Sequence, residues 1–579
     1  MAKKLWKIAE HDDDAAVELS CALGISPLLA KLLVNRGIIE PTQAKTFLSP
    51  EMSQLHDPFL FNDMRRAAER IVAASRNQEP VLIYGDYDVD GITATTLLVR
   101  IMARLFPGRL LYHLPKRLEE GYGLHLASLE KALARGISLV ITVDCGISAV
   151  AEALYLKSRG IDLIITDHHE PPPEIPDAYA IIDPKIPGSG YPFSQLAGVG
   201  VAFKLLQALA ALLPEITERL YRNMDLVALG TVADIVPLLD ENRVLVTYGL
   251  KQIQNTENIG LQSLIQVAGL KDKEITCGHI GFVLAPRINA VGRISNPSTG
   301  VKLFLTHDPI QAMDLANVLE NENQNRQEIE TRVLQEAQAI IAATPSLADE
   351  HGLVLAGEGW HPGVIGIVAS RLVEMYNKPT ILIGLEGDEG RGSGRSIAGF
   401  NLFEAIGECG QYLARFGGHE FAAGLTIRRA EIPAFREAFL RIANRMLTKD
   451  ELIPTLRVEG LIELKHATLD LARELSRLAP CGPANPTPVL GCESVYLVDY
   501  KMVGENGKHL KIRVKDERVT REGIGFNLGH VNQELAATKE VDLAFVVEEN
   551  TWNGSSQVQL NLKDVRALAV PARKEMAEG

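Results

Sequence analysis

The sequence predicts a multidomain α/β protein in which two α/β domains are joined by one long helix and followed by a small β-barrel. Three observations carry this. From about residue 51, short apolar runs rich in β-branched residues alternate with helix-compatible segments, the pattern of a parallel, doubly wound sheet. The stretch 309–344 contains no Gly and only its first Pro, with apolar residues at helical spacing. After residue 455 the period shortens to alternating strands broken by turns. A chain of 579 residues is also too long for one core.

Taken in order, residues 1–50 read as a helical lead-in without evident chemistry, and 51–305 as the parallel-sheet domain. Within the latter, "VLIYGDYDVDG" is a strand running into a loop with Asp86, Asp88 and Asp90 at alternate positions, and a helix follows. A calcium EF-hand begins with the same acidic spacing but needs a Glu at position 12, where Leu97 stands, and its loop lies between helices. A strand, a carboxylate loop and a helix instead describe the ligand-binding end of an α/β sheet. "SLVITVDCGIS" then ends in Asp144, "IDLIITDHHEPPP" in Asp167, His168, His169 and Glu170, and "MDLVALGTVADIVPL" places Asp234 after an apolar, helix-compatible run. Residues 306–346 form the connecting helix, whose polar middle "ENENQNRQE" reads as a solvated bridge. Residues 347–450 form the second α/β domain, and 455–570 about five strands that fit an OB-like barrel. Barrels of that kind stack single-stranded bases on aromatics beside a basic groove. Tyr500, Phe526 and Trp552 are candidates next to "KHLKIRVKDERVTR", with barrel core as their alternative role.

Net charge is −14, from 59 Lys and Arg against 73 Asp and Glu. That would disfavour a polyanionic partner, except that carboxylates gathered around cations count as negative in the sum while being neutralised in the working protein. The six cysteines are scattered with no CxxC pair, which argues against zinc and disulfides. No run reaches the 18 apolar residues of a membrane span and the first residues lack a signal-peptide core, so a cytoplasmic protein is expected. Five or six carboxylates converging without cations would repel one another. Oxygen donors with one imidazole suit Mn²⁺ or Mg²⁺, and two such ions can activate a water and stabilise the leaving oxygen of a phosphoryl displacement.

"DYDVDG", "VDCGI", "TDHHE" and "ALGTVADIVPL" together resemble the four motifs of the DHH phosphoesterase superfamily. Their order resembles specifically the RecJ single-stranded-DNA exonucleases, and the likeness continues through "PKRLEEGYGL", "LAGVGVAFKL", "APRINAVGRI", "WHPGVIGIVASRL", "GSGRSIAGFNLFEAI" and "FGGHEFAAGLTI". It implies a DHH domain, a DHH-associated domain and an OB-like nucleic-acid-binding domain. It also implies Asp86, Asp88, Asp90, Asp144, His168 and Asp234 as ligands of two ions, with Asp144 the bridge. Asp167 would support His168, and His169 would face the scissile phosphate. Ser393, Arg395 and Arg117 would recognise a terminal 5′ phosphate, Arg287 and Arg293 would meet phosphates from near a loop or bridge domains by pairing with acids, and His419 would line the cleft. Relatives often carry a His two residues before the first carboxylate; here that residue is Tyr84. The implied activity is 5′-to-3′ hydrolysis of single-stranded DNA to mononucleotides in recombination and repair, by a monomer. Single-strand-binding protein and a RecQ-type helicase are the implied partners.

Overall fold

In a computed structural model, residues 4–568 are described, apart from Leu118, Tyr122, Asn553 and the side chain of Trp552. The chain opens with a short strand, β1 (Leu5–Ile8), and the helices Asp13–Leu23, Pro27–Val34 and Pro41–Leu48. The first α/β domain rests on five parallel strands: β2 (Val81–Tyr84), β3 (Leu110–His113), β4 (Leu139–Val143), β5 (Asp162–Thr166) and β6 (Ala180–Ile182). They are ordered β3-β2-β4-β5-β6. Every residue of β2 and β4 is buried, because helices cover both faces of the sheet and leave no solvent side to alternate towards. The helices Met64–Arg76, Val89–Met102 and Gly198–Leu212 share one core with the strands, and Leu126–Leu133 with Val150–Ser158 share the other. The chain departs from β2 first to one edge and then to the other, so the crevice of a doubly wound sheet falls at the carboxyl ends of β2 and β4.

The expected alternation of strand and helix stops at Ile182. From Gly198 to Leu305 the described chain is helical, and most of its later helices form a separate core with the start of the connecting helix. That helix, Pro309–Ala343, has 35 residues and so spans about 52 Å. It begins with Pro at its first position and Asp308 accepting from the Ile310 amide at 2.9 Å. Its polar middle is a largely solvated bridge, with Asn321, Gln324, Asn325, Gln327 and Glu328 exposed, but it also carries a buried polar face. Asn323, Arg326 and Glu330 are buried, with Arg326 paired to Glu330 at 2.6 Å and Arg371 of the second domain reaching the same carboxylate.

The second domain holds β7 (Leu353–Glu358), β8 (Thr380–Glu386), β9 (Glu389–Arg395), β10 (Leu413–His419) and β11 (Ala422–Arg428), ordered β10-β11-β9-β8-β7, with only β7 and β8 parallel. The crossover helix Pro362–Tyr376 places Pro362 at its first turn, as the sequence predicts, and is capped by the His361 side chain. The C-terminal part comprises β12 (Thr455–Val458), β13 (Gly460–Leu461), β14 (Leu490–Val503), β15 (His509–Lys515), β16 (Thr520–Gly525), β17 (Glu540–Trp552) and β18 (Ser555–Ala567). The pairing of β14 with β17 closes five of these into a barrel. The lead-in is more than helical: β1 pairs in parallel with β12, and the first three helices share the barrel's core. Arg243 ties this assembly to the first domain by donating to the carbonyls of Phe47, Leu478 and Ala479.

Tyr500 packs against the barrel core rather than offering a platform. A bulge between Leu497 and Asp499 shifts the register of β14 and so turns the following residues to the opposite face. Phe526 is exposed beside His509, and the Trp552 side chain lies outside the described residues. Two of the six basic residues in that stretch are paired with acids: Lys511 with Glu522 at 2.9 Å, and Arg513 with Asp499.

Candidate metal and phosphate site

The strand ends at the crevice carry the carboxylates. Asp86 follows β2, and Asp88 caps the helix Val89–Met102 by accepting from the Gly91 amide at 3.1 Å. Asp90 lies in the first turn of that helix, and its two oxygens accept from the amides of Gly198 (2.6 Å) and Val199 (2.8 Å), which open the helix Gly198–Leu212. Asp144, at the end of β4, adopts a left-handed backbone with φ +61°, a strain of about 1–3 kcal/mol that surrounding structure must hold. Position 198 must be glycine, because a Cβ there would sit 2.7 Å from the Asp144 side chain. Asp234 ends the helix Met224–Ala233 rather than a strand.

His168 joins these groups. Its Nε2 lies 3.0 Å from Asp144, 3.6 Å from Asp234 and 3.9 Å from Asp90. Asp86, Asp88 and Asp144 form one group whose candidate ligand atoms lie within 4.8 Å of each other; Asp90, His168 and Asp234 form another. Buried Asp86 Oδ1, His168 Nε2 and Asp234 Oδ2 have no hydrogen-bond partner. Burial first, and then neighbouring carboxylates, pushes Asp86, Asp144 and Asp234 well above the usual carboxylate range and Asp90 up to about 7. Burial and the charge of His169 push His168 down to about 3, keeping the imidazole neutral. Orphaned oxygens and one neutral imidazole, which disfavour one another's charge, fit hard divalent cations.

Asp167 differs from expectation. One of its oxygens accepts from the His168 amide (2.8 Å), but its ring partner is His169, with Nδ1 at 2.7 Å from the same oxygen. Its other oxygen accepts from Ile147 at 2.9 Å. Against the cost of burial, this bond and the charges of Asp86 and Asp88 raise His169 above the ordinary histidine value.

Across the crevice stands a cluster of opposite charge. Ser393 and Arg395 occupy a strand, β9, not a flexible Gly-Ser loop. Arg395 Nη1 lies 3.2 Å from Ser393 Oγ. A Cβ on Gly366, near the start of the helix Pro362–Tyr376, would come within 2.9 Å of both side chains. Arg293 donates to the Gly363 carbonyl at 3.2 Å. Burial, then the charges of Arg117, Arg395 and Arg326, lowers Arg293 to about 10. Arg117 lies over the Tyr87 ring at 5.5 Å. His419 shares a cross-strand row with Ala422 and Arg395, and its side chain is exposed. Arg287 does not join: it sits in the helix Ala285–Ile294 and pairs with Glu320 of the connecting helix at 2.5 Å. Sequence reasoning also passed over Asn289, whose side chain accepts from the Val89 amide at 3.2 Å.

A parallel sheet that gathers carboxylates and one histidine at its switch point, with clustered arginines opposite, defines a metal-dependent phosphoesterase. Residues 80–231 match the model of the DHH family N-terminal domain, 349–445 that of the DHHA1 domain and 458–564 that of the RecJ OB domain. The chain is 40% identical over 565 residues to the single-stranded-DNA-specific exonuclease RecJ of Bacillus subtilis, covering 97% of this chain and 71% of that one. Among solved structures, RecJ of Thermus thermophilus in complex with Mn²⁺ superposes with a TM-score of 0.83 at 29% identity, covering 98% of this chain and 80% of that one. The same protein in complex with Mg²⁺ gives a TM-score of 0.77 at 28% identity, with coverage of 98% and 79%. The chain belongs to the RecJ family.

Proposed function

We propose that the protein is a metal-dependent exonuclease that hydrolyses single-stranded DNA from its 5′ end to mononucleotides, serving recombination and repair in the cytoplasm. The observation that carries this reading is the juxtaposition of two clusters of opposite charge, carboxylates of the first domain beside arginines contributed by both domains, Arg117 and Arg293 from the first and Arg395 from the second. Asp86, Asp88, Asp90, Asp144, His168 and Asp234 are the residues that would hold Mn²⁺ or Mg²⁺, with Asp144 of the first group lying 3.0 Å from His168 of the second. When bound, two such ions supply activation of a water and neutralisation of charge on the phosphoryl group. Asp167 orients His169 and favours its protonated form, in which His169 presents a donor to the scissile phosphate or the departing oxygen. Arg293, Arg395, Arg117 and Ser393 hold the terminal 5′ phosphate, which fixes the next phosphodiester over the carboxylates and sets the polarity.

On the barrel, Tyr496 replaces Tyr500 as the stacking candidate, since it is exposed with Lys515 over its ring at 4.9 Å. A monomer working with single-strand-binding protein and a RecQ-type helicase completes the reading; co-purification and light scattering test that part. The central test is digestion of 5′-labelled and 3′-labelled single strands with each metal. Early release of the 5′ label as mononucleotide, abolished by Asp144→Ala, is expected; release of the 3′ label first would overturn the polarity.

A further inference from the structure

The helices Val89–Met102 and Met224–Ala233 each bring a carboxylate to the metal site at one end, and their opposite ends meet on the far side of the first domain. There they border a cavity of about 490 Å³ lined by Arg100, Arg104, Arg219, Arg222, Asn223 and Asn258. Asp90 and Arg100 are ten residues apart on one helix, so the cavity lies about 15 Å from the metal carboxylates.

The acidic residues of this cavity are largely engaged. Glu218 and Glu257 pair with Arg222 at 2.7 and 3.6 Å. Asp225 accepts from the Thr256 hydroxyl (2.5 Å) and the Leu226 amide (2.8 Å), and Glu215 is exposed. The arginines are not matched in the same way. Arg100 donates to the Phe304 carbonyl at 2.8 Å, but its buried Nε has no hydrogen-bond partner. Arg104 and Arg219 form no ion pair with a described carboxylate, and burial together with the charges of Arg104 and Arg100 lowers Arg219. Arg100 has the charge of Asp225 beside it, so the positive charge left for an anion is that of Arg219 and of the exposed Arg104, and the planar forks of Arg suit phosphoryl oxygens. The starts of two helices, capped by Asn258 and preceded by Asn223, add positive potential.

We propose that this cavity binds the phosphoryl group of a small ligand of nucleotide size, with Arg100, Arg104 and Arg219 as its donors. The volume falls in the range of small-ligand sites, which begin at about 300 Å³. A free nucleotide and inorganic phosphate share this chemistry, and the experiment separates them. Isothermal titration of the Mg²⁺-loaded Arg395→Ala protein, in which the crevice pocket is weakened, is carried out with inorganic phosphate and with deoxythymidine monophosphate. One saturable site is expected, weakened at least about tenfold when Arg104→Glu and Arg219→Glu are added. Tighter binding of the nucleotide assigns the site to nucleotides, and equal binding assigns it to phosphate. Arg104→Gln with Arg219→Gln serves as the second variant if the charge reversal lowers the cooperative melting temperature. Absence of any site in Arg395→Ala, or binding indifferent to both double variants, overturns the proposal.

Discussion

The two walls of the crevice solve the same electrostatic problem with opposite signs and different backbones. On the first domain, carboxylates sit at the ends of parallel strands and helices, where three of them are tied to main-chain amides: Asp88 to Gly91, Asp90 to Gly198 and Val199, and Asp167 to Ile147 and His168. On the second, Ser393 and Arg395 project from the middle and end of a strand, and Arg293 reaches over from a helix to a carbonyl of the facing one. The difference follows from reach. A carboxylate is short and must be placed by its backbone to within a fraction of an ångström of a cation, whereas a guanidinium on a long stem can be aimed from a regular element.

This contrast predicts a ranking of effects. Asp144→Ala should be the most severe, lowering kcat by about 10³-fold or more from the loss of several kcal/mol of charge stabilisation, with Mn²⁺ binding reduced in calorimetry. A variant that kept wild-type turnover would break the assignment of that wall to metal. Arg395→Ala should lower kcat/KM by about 10–100-fold on 5′-phosphorylated strands, as expected for losing a charge-assisted contact, and far less on 5′-hydroxyl strands. Equal losses on both would show that the arginine wall does not read the terminus.

Asp167→Asn should cost about 10–100-fold, the usual penalty for losing a supporting partner, and should also move the pH profile. His169 is raised by Asp167, so the protonated form persists at higher pH in the native protein. Without the carboxylate, protonation is lost at lower pH, and the alkaline limb of kcat should shift downward. The smallest effect belongs to the barrel. Tyr496→Ala should weaken binding of long strands by about 1–3 kcal/mol while leaving the melting temperature unchanged, whereas Tyr500→Ala should lower the melting temperature by removing core contact.

The convergence of the carboxylates was legible in the sequence because most of them follow apolar strands, so "IYGDYDVDG" and "ITVDCG" announce both the element and its polar end. The membership of the arginine wall was only partly legible. Arg287 and Arg293 lie six positions apart in one motif, yet one faces Glu320 and the other the crevice, because six residues on a helix do not share a face. The polar middle of the connecting helix hid its buried face for a related reason: Arg326 and Glu330 satisfy each other at a spacing of four and can therefore be buried while reading as solvated. Tyr500 takes the core role that the sequence also allowed, through a single inserted residue in β14 that reverses the in-out alternation and leaves no mark in composition. The ring partners of His168 and His169 depend on how the chain turns after β5, a path set by tertiary contacts.

The connecting helix is pinned on both sides, through Glu320 to Arg287 of the first domain and through Glu330 to Arg371 of the second. A rod riveted to both jaws cannot let them swing freely, so the gap between them behaves as a fixed gauge rather than a clamp. Discrimination among incoming polymers would then come from what physically passes the gauge, and loosening either rivet should blur that discrimination before it slows the chemistry.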